Sequence, residues 1–143
     1  MASGNRVIIG LVQMGMGKDV QENLSKAIGN IEKAAKKGAQ IVCLPELFTT
    51  PYFPQDERKE IFELAEKIPG STTNELSKAA RKNKVIIIGG SIFEVDGKKF
   101  YNTSAVFDEN GKMIGKYRKI HIPHDPSFYE KNYNSKLENE SAE

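Results

Sequence analysis

Two short segments put residues capable of proton-transfer and oxyanion chemistry at the ends of apolar strands. In Ile41-Val42-Cys43-Leu44-Pro45-Glu46-Leu47-Phe48, Glu46 directly follows a run patterned like a buried strand. Open α/β sheets present their ligands at the carboxyl ends of such strands. Flanked by Leu44, Pro45, Leu47 and Phe48, the Glu46 carboxylate is predicted to be poorly solvated, the environment that makes a working base. The plainer alternatives are a surface-loop glutamate or an ion-pair partner for Arg118. In Gly115-Lys116-Tyr117-Arg118-Lys119-Ile120-His121-Ile122-Pro123, strand alternation puts Tyr117 and Lys119 on one face and Lys116 and Arg118 on the other. A lysine aimed into a sheet-end pocket can stabilise a developing oxyanion. The alternative is a solvated basic strand end.

The elements that must carry these groups follow from periodicity. Arg6–Met14 is an apolar, β-branched run and predicts a strand buried on both faces. Asp19 and Glu22 have the spacing of a helix cap with a reciprocal partner. Leu24, Ala27, Ile28, Ile31, Ala34 and Ala35 then recur at helical spacing up to Gly38, which stops the helix. Gln40–Leu44 is a second strand, so strand–helix–strand implies parallel pairing. Pro45–Asp56 is predicted to be an ordered loop. Helices are expected over Glu57–Lys67, with Ile61, Leu64, Ala65 and Ile68 inward, and over Thr72–Lys82, capped by Thr72 with Glu75. Lys84–Val95, Lys98–Phe107 and Met113–His121 predict strands joined by turns at Asp96-Gly97 and Asn110-Gly111. The fold class is α/β with a mixed sheet: parallel strands first, hairpins later, helices on one face. Asn132–Glu143 is polar and aperiodic, and predicts a disordered tail.

Composition removes several function classes. The 143 residues make one domain, with a core expected to hide roughly 70% of the unfolded surface. A net charge of +2 argues against a nucleic-acid binder, which concentrates basic charge. One cysteine excludes an internal disulfide framework, and no Cys/His cluster suggests structural zinc. No apolar run reaches the roughly 18 residues of a membrane span, and no leader pattern opens the chain. Neither membrane association nor secretion is therefore expected, and the location expected is cytoplasmic. His121 and His124 are separated by Pro123 without a completing carboxylate, so no metal is expected. Gly15-Met16-Gly17 lacks the third glycine of a dinucleotide loop, so it reads as a flexible turn and no cofactor is expected. Asn102-Thr103-Ser104 and Asn139-Glu140-Ser141 fit the glycosylation triplet but lack a secretory context. Phe100, Tyr101 and Phe107 follow hairpin spacing and are expected in the core. Cys43, inside a short apolar strand, is expected to be a packing residue with little thiolate.

Leu44-Pro45-Glu46 after an apolar strand, followed downstream by Tyr117-Arg118-Lys119-Ile120-His121, resembles the nitrilase (carbon–nitrogen hydrolase) superfamily. The opening strand, the capped helix and Gly89-Gly90-Ser91 are similar to that family as well. Ile122-Pro123-His124-Asp125-Pro126-Ser127-Phe128-Tyr129-Glu130-Lys131 resembles its N-carbamoylputrescine amidohydrolase branch. The resemblance runs from Arg6 to about Tyr133. It implies an αββα sandwich and thiol acyl-transfer chemistry, with Glu46 as general base, Lys119 as oxyanion stabiliser and Glu130 as a second glutamate orienting the reacting groups.

The family nucleophile is a cysteine downstream of the second glutamate, and nothing after Lys131 resembles that continuation. Residues 1–131 are therefore expected to be the N-terminal part of such a domain, and 132–143 an unrelated tail. The resemblance implies a parent reaction in which an N-carbamoyl amine or amide is hydrolysed, the former to amine, carbon dioxide and ammonia. The chain alone is expected to be inactive. The other expectation is a binding or assembly module that pairs with itself as a homo-oligomer, with a separate C-terminal half, or with a full-length relative. A silent polyamine binder is a third.

Overall fold

The computed structural model describes residues 6–53 and 59–122. Six strands form one mixed sheet: β1 (Ile9–Leu11), β2 (Ile41–Cys43), β3 (Ile86–Ile88), β4 (Ile92–Asp96), β5 (Lys99–Phe107) and β6 (Met113–Arg118). β1 pairs with β2 and β2 with β3 in parallel, while β5 runs antiparallel to β3, β4 and β6. β3 and β4 share one edge of β5, and β6 takes the other. The single strand expected over Lys84–Val95 is therefore two. It breaks at Gly89-Gly90-Ser91, where Gly90 has φ +55°.

Two helices cover one face. In α1 (Val20–Lys36), the Asp19 carboxylate accepts from the backbone N–H groups of Gln21 and Glu22 at 2.7 and 2.9 Å, which satisfies donors the first turn leaves unpaired. α1 lies close enough to β1 that a Cβ on Gly10 would stand 2.8 Å from the Ala34 methyl. α2 (Ser71–Asn83) starts one residue earlier than expected. Its cap is Gly70, whose N–H donates to the Thr73 hydroxyl, and the Thr72 N–H instead donates to the Glu66 carboxylate. Leu24, Ala27, Ile31, Leu76 and Ala80 from the helices meet Val42, Ile87, Ala105 and Phe107 from the sheet in the main core. Burying each Leu, Ile, Val or Phe side chain among them stabilises by roughly 1.5–3 kcal/mol.

The helix expected over Glu57–Lys67 is, among described residues, a 3₁₀ segment over Lys59–Leu64. It ends early because Glu66 joins the free edge of β4, donating to Phe93 O and accepting from Val95 N–H, both at 2.9 Å. Ile61 is buried and Leu64 is not. This segment and Phe53 cover part of the second sheet face with a small aromatic core. There the Phe53 and Phe93 rings lie 4.8 Å apart, as do those of Phe62 and Phe100.

Among the described residues, the rest of that second face is uncovered. Ile9, Ile41 and Ile86 align across β1–β2–β3, as do Leu11, Cys43 and Ile88. Ile9 is 56% exposed and Leu11 79%. Among the described residues, the opening strand is thus an edge strand with an uncovered face rather than one buried on both faces. An apolar run records what a strand can bury, and its covering layer has to come from elsewhere. Tyr101 and Phe107 are buried as expected. Among described residues, no helix is long and apolar enough to cross a membrane. The disordered-tail expectation for 132–143 lies outside the described residues.

Candidate active site

Glu46 sits in the turn that leaves β2, and the chain around it is held by a bracket from the β3–β4 break. Ser91 N–H donates to Pro45 O at 3.3 Å, and Leu47 N–H donates to Ser91 Oγ at 2.9 Å. Leu47 has φ +46°, a left-handed conformation costly for a branched side chain and held here by the bracket. Gly90 is required by contact as well as by its positive φ: a Cβ there would lie 1.9 Å from Pro45 O.

Lys119 follows β6 directly, and its N–H donates to Asn102 O at 2.8 Å, extending the ladder by one residue. Side-chain alternation along β6 is fixed from the opposite face. Glu94, 1% exposed, accepts from Lys116 Nζ at 2.6 Å and from Arg118 Nε and Nη2 at 2.8 and 2.7 Å, with the Thr103 hydroxyl as a further donor. Arg118 also reaches Asp96 at 2.7 Å and stacks 3.8 Å over the Tyr101 ring. Burial pushes the Glu94 carboxyl up, but the hydrogen bonds from Arg118, Lys116 and Thr103 outweigh it and bring it down to about 2. With Lys116 and Arg118 committed to that side, Tyr117 and Lys119 face the other, as strand alternation predicts.

The consequence is that Lys119 Nζ stands 3.3 Å from Glu46 Oε1, across 73 residues of sequence. Arg118, the alternative partner for Glu46, is engaged by Glu94 and Asp96. Asn102 Nδ2 donates to the same Glu46 oxygen at 2.7 Å. These three residues line a cavity of about 330 Å³ with Leu44, Ile88 and Tyr117. Glu46 is 47% exposed, so its apolar neighbours do not shield it as their types predict. Pro45 and Leu47 are turned by the bracket, and Leu47 packs into the aromatic core instead.

Cys43 is half-buried on β2, and burial pushes its thiol up, away from thiolate. Glu130 and His124 lie outside the described residues, as does the motif from Pro123 to Lys131. Among the described residues, no group of three or more His, Cys, Asp or Glu could hold a metal. One residue of the site and one that ties nearby loops escape sequence reasoning. Asn102 appears there only within a glycosylation triplet. Asn23, which is buried and joins Gly17 O to Thr49 O at 2.8 and 2.9 Å, carries no signal in a helical pattern.

A carboxylate and an ammonium group thus meet at the carboxyl end of a parallel strand. The carbon–nitrogen hydrolase family matches residues 8–141. The chain belongs to this family. It is 45% identical over 114 residues to an omega-amidase NIT2 of Bos taurus, covering 80% of this chain and 40% of that one. The crystal structure of a carbon–nitrogen hydrolase from Helicobacter pylori G27 matches with TM-score 0.83 and 32% identity, over 91% of this chain and 44% of that chain. Saccharomyces cerevisiae Nit3, a nitrilase-superfamily member, matches with TM-score 0.77 and 38% identity, over 94% and 50%. The chain thus spans about half or less of the length of these carbon–nitrogen hydrolases.

Proposed function

We propose that this carbon–nitrogen hydrolase chain supplies the base and the cation of an acyl-transfer site, and that the nucleophile comes from the C-terminal portion of the domain, packed on the sheet face left uncovered among the described residues. The observation that carries the reading is the 3.3 Å approach of Lys119 Nζ to Glu46 Oε1 beside an open cavity. Glu46 takes the proton of the incoming thiol, the thiolate attacks the amide carbonyl carbon, and Lys119 balances the charge on the tetrahedral oxygen. The C–N bond breaks, ammonia leaves with the proton returned from Glu46, and water cleaves the thioester to the acid while regenerating the thiol. Glu130 is the second glutamate of this scheme. Cys43 does not replace the nucleophile, because its raised thiol leaves little thiolate.

The substrate class favoured is a terminal amide, in keeping with the omega-amidase relatives. The motif Ile122–Lys131 supports a second reading, an N-carbamoyl amine. The site of action is the cytoplasm. Ammonia release from both substrates, by the chain alone and mixed with the C-terminal half of a relative, tests the proposal. None from the chain alone and release by the mixture is expected, faster with the terminal amide. Release by the chain alone that disappears in Cys43→Ser overturns it.

The exposure of Ile9 and Leu11 favours one further reading, in which the chain is a non-catalytic assembly module and a second copy covers the same face. Sedimentation separates the two. Self-association at micromolar concentration that blocks uptake of the C-terminal half supports the module.

A further inference from the structure

We propose that Asn102 is the positioning residue that fixes the Glu46 carboxylate against Lys119. Asn102 is a buried residue of β5 that touches both members of the pair. Its Nδ2 donates to Glu46 Oε1 at 2.7 Å, and its backbone oxygen accepts from Lys119 N–H at 2.8 Å. One rigid strand residue therefore sets the distance between them. The Ser91 bracket fixes only the backbone around Glu46. The Glu46 side chain is half exposed and has three rotatable bonds, so without an anchor it would spread over several rotamers.

The chemistry suits an amide in that place. Asparagine donates a hydrogen bond yet has no proton to gain or lose near neutrality, so it orients a base without competing for the proton the base must take. A second cation there, beside Lys119, would hold the carboxylate more strongly and blunt it as a base. Displacements of about 1 Å at a reacting group can cost on the order of 100-fold in rate, so an anchor of this kind matters to turnover.

The inference rests on Glu46 being the base, but its test does not require turnover. In the labelled 143-residue chain, NMR side-chain couplings report the Glu46 rotamer, and a cross-peak between Glu46 Hγ and Lys119 Hε reports the pair. The wild-type chain should show one rotamer and the cross-peak. In Asn102→Ala both should be lost, while backbone shifts in α1 and β2 stay in place. Should that variant fail to fold, the isosteric Asn102→Asp loses the donor and faces Glu46 with a like charge. The reciprocal pair Glu46→Gln with Asn102→Asp should restore the single rotamer, with donor and acceptor exchanged. A Glu46 that keeps one rotamer and its cross-peak in Asn102→Ala or Asn102→Asp overturns the proposal. Failure of the mixed halves to release ammonia would instead overturn the hydrolase reading and leave this geometry standing.

Discussion

Replacing Glu94 by glutamine should remove a stabilisation that exists only above acid pH. Glu94 is buried and holds Lys116, Arg118 and Thr103, with its carboxyl brought from 4.5 down to about 2. A folded-state value below the unfolded one stabilises fully above about pH 4.5 and loses the effect as pH falls through 2. A shift of that size corresponds to about 3 kcal/mol, at 1.36 kcal/mol per unit. Glutamine keeps the shape but removes the charge that Lys116 faces and leaves Arg118 with Asp96 alone, a change that costs on the order of 3 kcal/mol at buried pairs. Urea unfolding of both chains at pH 7, 4.5, 3 and 2 measures the difference directly. It should be about 3 kcal/mol at pH 7 and 4.5 and shrink to well under 1 kcal/mol at pH 2. Subtracting the two curves removes the contribution of the other carboxylates, such as Glu32, which its hydrogen bond to Lys82 lowers. A difference that stays constant from pH 7 to pH 2 would refute the assignment of the acid sensitivity to Glu94. The cluster also orients β6, so Glu94→Gln should loosen the Lys119 side of the site before the α1 side.

Three smaller perturbations follow from the same geometry. Gly90→Ala forces a Cβ against Pro45 O at positive φ, and should cost roughly 2 kcal/mol or more in thermal unfolding while disordering the Glu46 turn. Asp19→Ala should cost about 1 kcal/mol by loss of the α1 cap, and Asp19→Asn should recover most of it. Because burial raises the Cys43 thiol, its alkylation by iodoacetamide should gain speed only above the ordinary thiol range; fast reaction at pH 7 would contradict its surroundings.

The positions of the candidate site residues were legible where type and element agreed. Glu46 follows a strand, Lys119 alternates with Arg118, and Asp19 precedes a helical period, so local rules place all three. What local rules lack is the neighbour. Arg6–Met14 reads as buried because its run is apolar, yet no described layer covers Ile9 or Leu11. Lys84–Val95 reads as one strand because its apolar pattern continues, while the break at Gly90 depends on Pro45, distant in sequence. The segment before Lys67 reads as a helix because nothing local says that Glu66 pairs with β4. Asn102 is silent for the same reason, since an asparagine in a strand gains its role only from the carboxylate folded against it.

The most direct test of the central claim is ammonia release from a terminal amide by the chain mixed with a relative's C-terminal half, using wild type, Glu46→Gln and Lys119→Met. Both variants should associate normally and lose on the order of a hundredfold or more in kcat, as removal of a base or an oxyanion partner does. Turnover at the wild-type rate in either variant would contradict the assignment of Glu46 and Lys119 to the chemistry.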